Sequence, residues 1–159
     1  MPGLLPTFDK GPLTFAATTV ANGGNIKGGM LVEPDGTTGR VKPASAASAV
    51  CLGVALGDAS ASDFANADTT DTWGNTIVNA QYPPNEVAVA WQGVFKLKVA
   101  ATSATVPFGA LVKCAANGEV TLHSTTSAAT FDVIIGRCVE PLGIVAGARG
   151  KINLNCAGA

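Results

Sequence analysis

Four cysteines, one histidine and a scatter of carboxylates are the residues of this chain with chemistry to offer. The cysteines stand at positions 51, 114, 138 and 156. No two have C-x-x-C spacing, and His123 has no neighbouring Cys to complete a zinc ligand set. Cys51 and Cys138 read as small buried hydrophobes, and a disulfide among the four is left open. Asp58, Asp63, Asp68 and Asp71 do not follow the alternating ligand spacing of an EF-hand loop, so they are expected to be solvated. General acid–base catalysis needs paired carboxylates, or a histidine held beside one. Glu33, Asp35, Glu86, Glu119 and Asp132 mostly sit next to turns, where solvated side chains are expected, and His123 has no visible orienting partner. "GNIKGG" (24–29) and "GIVAGARG" (143–150) lack the Lys-Ser/Thr of a phosphate loop. The expectation is a protein with no catalytic residues, no cofactor and no metal.

Composition points away from enzymes and toward contact with a partner. Charged residues are 13% of the chain, about half the usual share, while apolar residues are 47%. A formal net charge of −1 provides no basic footprint for nucleic acid and no polybasic patch for a membrane. So few charges also leave a surface poorly protected against association. The 159 residues are expected to form one domain, burying roughly 70% of the unfolded surface. No apolar run approaches the roughly 18 residues of a membrane span. The opening "MPGLLPTFDKGPLTF" has no charged leader and is broken by Pro2, Pro6 and Pro12, so it does not read as a signal peptide.

Those three prolines make residues 1–13 an extended arm, because proline fixes φ and removes a ladder donor. Its apolar residues Leu4, Leu5, Phe8 and Leu13, with Pro6 between them, are expected to anchor it on a partner or a neighbouring copy. Residues 14–159 read as a single β domain. "LTFAATTV" (13–20), "GMLVEP" (29–34), "GRVKP" (39–43) and "AVCLGVAL" (49–56) are strands separated by turn chemistry, and Asp35-Gly36 sets a hairpin. The polar stretch 57–85 reads as a long insertion with one short strand near Ile77; loops of that length tend to be functional. "EVAVAWQGVFKLKVA" (86–100) is the clearest half-buried strand pair: Val87, Val89, Trp91, Phe95, Leu97 and Val99 face inward, and Lys96 and Lys98 outward. Further strands are expected at 110–115, 118–123, 131–141 and 148–156. No amphipathic helix of ten residues is visible; "PASAASA" (43–49) or "STTSAAT" (124–130) makes a single turn at most.

The chain also repeats itself. "GGMLV" (28–32) is echoed by "FGALV" (108–112), so Gly29 matches Gly109, while Gly39 and Val41 match Gly118 and Val120. "AVCLGVAL" is echoed by "DVIIGRCV" (132–139), which sets Gly53 opposite Gly136, Cys51 opposite Ile134 and Ala55 opposite Cys138. Each unit reads as glycine, strand, turn, strand, small-residue loop, then a strand with an internal glycine. Two such units predict a pseudo-symmetric all-β barrel or sandwich, since one copy could not bury its apolar face alone.

The strands quoted above, with "VPFGALVKCAANGEV", "IIGRCVE" and "GKINL", resemble the small capsid decoration proteins of tailed bacteriophages, over residues 14–155. The resemblance rests on structural glycines and strands rather than a catalytic signature, and the 57–85 insertion departs from it. It implies a structural protein on the outer surface of a virion, after assembly in the host cytoplasm. Such a protein adds to the shell as trimers and bridges major capsid subunits. Its partners would be the major capsid protein and further copies of itself. The rival expectation is a β-sandwich module recognising carbohydrate or a receptor through Trp73, Tyr82 and the aspartate-rich loop.

Overall fold

The computed structural model describes residues 13–16, 26–36, 40–59, 69–70, 73, 76–77, 86–124 and 133–156. The described elements are strands apart from one 3₁₀ turn at Ala116–Gly118. The first five-stranded sheet contains β1 (Leu13–Ala16), β2 (Leu31–Pro34), β3 (Val41–Pro43), β4 (Gly53–Ala55) and β7 (Glu86–Ala90). The second contains β8 (Gln92–Lys98), β9 (Leu111–Cys114), β10 (Val120–Leu122), β11 (Ile134–Cys138) and β12 (Arg149–Asn155). Between β4 and β7, β5 (Thr69–Thr70) and β6 (Thr76–Ile77) form a hairpin of their own, where a single strand near Ile77 was expected.

The two sheets share one topology. Their orders are β1-β7-β4-β2-β3 and β10-β9-β11-β12-β8, antiparallel throughout. Within each sheet, the third strand in chain order lies beside the second, then come the fourth, the fifth and the first. The repeat therefore extends from the expected three strands to five. Its register agrees as well, because Val32 stands opposite Gly53 and Val112 opposite Gly136. The insertion occupies the link between the fourth and fifth strands of the first unit, residues 56–85; the second unit makes the same link with residues 139–148.

One sequence expectation needs correcting here. Residues 86–100 do not form a strand pair: β7 closes the first sheet's chain order and β8 opens the second's, so the chain crosses between sheets at Trp91. The alternation itself holds. Val87, Val89, Leu97 and Val99 are buried and Lys96 and Lys98 exposed, while Trp91 and Phe95 are half-buried near the crossover. Period two reports the face of each strand and nothing about which strand it pairs with.

Each unit encloses an equivalent set of small apolar side chains. In the first, Ile26, Val32, Val41, Ala55, Ala59 and Val89 pack together. The second places Val106, Val112, Val120, Cys138, Ile144 and Ile152 at the corresponding positions, within a larger cluster. Isolated bridges finish both units alike, Ile26 to Ala59 and Val106 to Ile144. The second sheet also curls until its edges meet, where Val99 forms a parallel bridge with Val120 and Ala100 N–H donates to Val120 O at 2.8 Å. A register shift between Ile134 and Gly136 supplies the local bend that such curling needs.

The units are held against each other by residues of both. Leu31, Cys51 and Val54 of the first unit join the second unit's core cluster. Gly118 N–H donates to Ala44 O at 3.0 Å, and Ala47 N–H to Cys114 O at 2.9 Å. A side chain at Gly118 would collide with the Leu31 backbone, so this turn is glycine in order to dock, as well as for its φ of 67°.

Candidate functional site

The glycines that the repeat picks out are structural. Gly29 and Gly109 have φ of 85° and 78° and open their units with the same turn, Gly29 N–H donating to Ala55 O and Gly109 N–H to Cys138 O. Gly53 and Gly136 lie where neighbouring backbone approaches too closely for a side chain, against Ala90 and Asn153 respectively.

Of the expected arm anchors, Leu4, Leu5, Pro6 and Phe8 lie outside the described residues. Leu13 belongs to the sheet rather than to a free arm, since it starts β1 and pairs with Val89. Among the described residues Val50, Leu56, Trp73 and Val94 are exposed large apolar side chains, and three more surround one bridge. Phe108 is 64% exposed, Leu142 98% and Val145 61%. All three flank the Val106–Ile144 bridge, whose backbone groups exchange two 2.8 Å hydrogen bonds. Gly143 sits against the backbone of Val106 and Pro107, bringing the turns that carry Leu142 and Phe108 together. The result is an apolar end on the second unit.

Glu33 departs from expectation. It is buried, only 4% exposed, rather than solvated. Its carboxylate accepts from Ser45 N–H and Ser45 Oγ, both at 3.1 Å, and pairs with Lys42 Nζ at 3.4 Å. Burial opposes its ionisation. Hydrogen bonds from Ser48, Ser45 and Lys42 together outweigh that effect and hold the carboxyl below its ordinary range. The group fastens the loop after β3 to β2. Glu119, by contrast, is partly exposed and pairs with Lys98 at 2.7 Å across the closure of the second sheet.

Three of the four cysteines converge, which spacing did not reveal. Cys51 precedes β4 and Cys156 follows β12; their Sγ atoms are 3.7 Å apart. Cys114, fully buried at the end of β9, belongs to the same core cluster as Cys51. Thiol hydrogen bonds from Cys114 and then Cys156 favour the thiolate of Cys51 over the opposing effect of burial, pulling its pKa down. The same contacts, with burial, push Cys114 and Cys156 up, since each keeps its proton as the donor. A surface cavity of about 240 Å³ is lined by Pro34, Ala49, Val50, Leu52, Cys51 and Cys156. Cys138 stays apart as a packing residue, taking the place that Ala55 holds in the first unit. Among the described residues no His/Cys/Asp/Glu group is arranged to hold a metal ion.

The remaining candidates do not gather. His123 is buried after β10, with Nδ1 lacking a hydrogen-bond partner. Trp73 is 85% exposed in the turn between β5 and β6. Gly39, Tyr82, Asp63, Asp68, Asp71, Asp132 and residues 125–130 lie outside the described residues, and Asp58 accepts from Gly28 N–H at 2.7 Å. Among the described residues no helix is long and apolar enough to cross a membrane. Comparison with known proteins finds no matching family model and no matching curated protein.

Proposed function

We propose that this chain is a structural virion protein that decorates the outer surface of a tailed-phage capsid and stabilises it by bridging major capsid subunits. The observation that carries this reading is the apolar end formed by Phe108, Leu142 and Val145. A surface with so few charges offers little to oppose its burial, and exposed apolar clusters mark sites of association. The doubled β unit and its resemblance to decoration proteins agree with that role. Stabilisation follows from mass action, since a ligand that binds only the assembled shell shifts the equilibrium toward it. In this reading the chain associates as a homotrimer, and the arm of residues 1–12, with Leu4, Leu5 and Phe8, adds a second attachment. Deleting residues 2–12 leaves β1 intact.

The test is co-sedimentation of the purified protein with empty cognate shells. Full-length protein should saturate the shells and raise their disruption temperature. The truncated protein should melt as before and bind at least tenfold more weakly. Failure of the full-length protein to bind shells defeats the proposal. Glycan binding through Trp73 would then favour the rival recognition module.

A further inference from the structure

We propose that Cys51 and Cys156 are a thiol–disulfide exchange site, which closes under oxidising conditions into a disulfide joining the two β units. Three observations converge on this pair. The sulfurs are already 3.7 Å apart, so bond formation needs an approach of under about 2 Å. Both residues line one surface cavity of about 240 Å³, Cys156 partly exposed and Cys51 forming part of its wall at 6% exposure. Both sit at the ends of strands: Cys51 comes two residues before β4, and Cys156 directly after β12. A terminal residue can shift further than one inside a ladder. Cys156 N–H donates to Trp91 O at 2.9 Å, which holds it near its partner.

The chemistry balances with a low-molecular-weight disulfide, RSSR, as oxidant. The Cys51 thiolate, favoured by its neighbouring thiols, attacks one sulfur of RSSR and expels RS⁻, which takes up the proton that Cys51 released. Cys156 then loses its proton and attacks Cys51 Sγ, expelling the second RS⁻, which is protonated in turn. The protein dithiol is oxidised by two electrons, and RSSR is reduced to two RSH. Cys114 is fully buried and lines no part of the cavity, whereas Cys51, although only 6% exposed, and the partly exposed Cys156 both do, so the exchanging disulfide meets the pair from that side. In a reducing cytosol the pair stays as a dithiol, and outside it the staple forms. The cross-link spans 105 residues of sequence and removes conformations from the unfolded chain. This inference does not depend on what the protein docks onto.

The experiment equilibrates the full chain in oxidised and reduced glutathione, followed by thiol counting, peptide mapping and thermal melts. Two of the four thiols should disappear, a Cys51–Cys156 linked peptide should appear, and the melting temperature should rise by on the order of 10 °C. Cys156→Ser should abolish both changes while melting like the reduced wild type. Cys114→Ser and Cys138→Ala should keep both changes, whatever their own effect on the reduced fold. Four thiols surviving under oxidising poise would overturn the proposal. So would a Cys51–Cys114 link, or a glutathione adduct that never resolves.

Discussion

Gly53 and Gly136 occupy the same position in two separate ladders, one opposite Val32 and the other opposite Val112. A Cβ on Gly53 would strike the carbonyl of Ala90, and one on Gly136 would strike that of Asn153. Ala90 and Asn153 themselves correspond, pairing with Val54 and Arg137 in the two sheets. The same close approach has thus been kept in both halves of the chain.

Alanine at either position should therefore be costly, because the obstacle is backbone and cannot turn aside. Each substitution should destabilise by roughly 2 kcal/mol or more, the range for overpacking that shifts backbone. Gly53→Ala should be the worse, since its φ of 146° adds strain. Gly109→Ala is the control: no atom lies within 4 Å of its Cβ position, and only its φ of 78° penalises alanine, by about 1 kcal/mol. Urea melts of the three variants give the ranking. Equal losses at 109 and 136 would mean that close packing is not the cause.

Glu33 makes the fold sensitive to acid. Its folded pKa is depressed, so the stability it contributes is present above the ordinary Glu value near ~4.3 and is lost as pH falls through the folded value. Glu33→Gln should lose roughly 1–3 kcal/mol at pH 7, the worth of hydrogen bonds to a buried charge. The gap between variant and wild type should narrow below about pH 4. Urea melts at pH 7 and pH 3.5 measure both; a gap independent of pH would assign the effect to shape alone.

Much of this architecture was legible because it is local. Turn glycines and period-two alternation mark the strands, and "ARGKINLNC" shows the pattern in full: Gly150, Ile152 and Leu154 buried, Arg149, Lys151 and Asn153 exposed. The echo of Gly53 in Gly136 gave the repeat and its register. What stayed hidden depends on partners distant in sequence. Alternation through Trp91 cannot say that β7 and β8 pair in different sheets. Cys51, Cys114 and Cys156 come from three separate strand ends, and the repeat even disguises Cys51, whose counterpart is the apolar Ile134. Glu33 reads as solvated beside its turn, yet Ser45, Ser48 and Lys42 close over it.

The Lys98–Glu119 pair should matter little despite its 2.7 Å length. The Lys98 side chain is 45% exposed, and water screens such pairs to about 0.2–1 kcal/mol. Backbone contacts carry the closure instead, including the Ala100 to Val120 hydrogen bond. Glu119→Gln should shift the urea midpoint only slightly, and less still in 1 M salt. A loss above about 2 kcal/mol would show that the ion pair, and not the backbone bridge, keeps the sheet curled.

The apolar end provides the sharpest separation of folding from association. Leu142 makes almost no contact with its own chain, at 98% exposure, and Phe108 and Val145 are more than half exposed. Replacing Leu142 and Phe108 by Ser should leave the melting curve of the isolated chain within about 0.5 kcal/mol of wild type, as for ordinary surface substitutions. If these side chains meet a partner, each buries apolar area worth on the order of 1.5–3 kcal/mol when fully covered. The double substitution should then weaken self-association or shell binding by at least tenfold. Sedimentation velocity over a concentration series reads the first, and co-sedimentation with shells reads the second. Wild-type behaviour in both assays would show that the apolar end is idle, and attachment would then have to come from another surface.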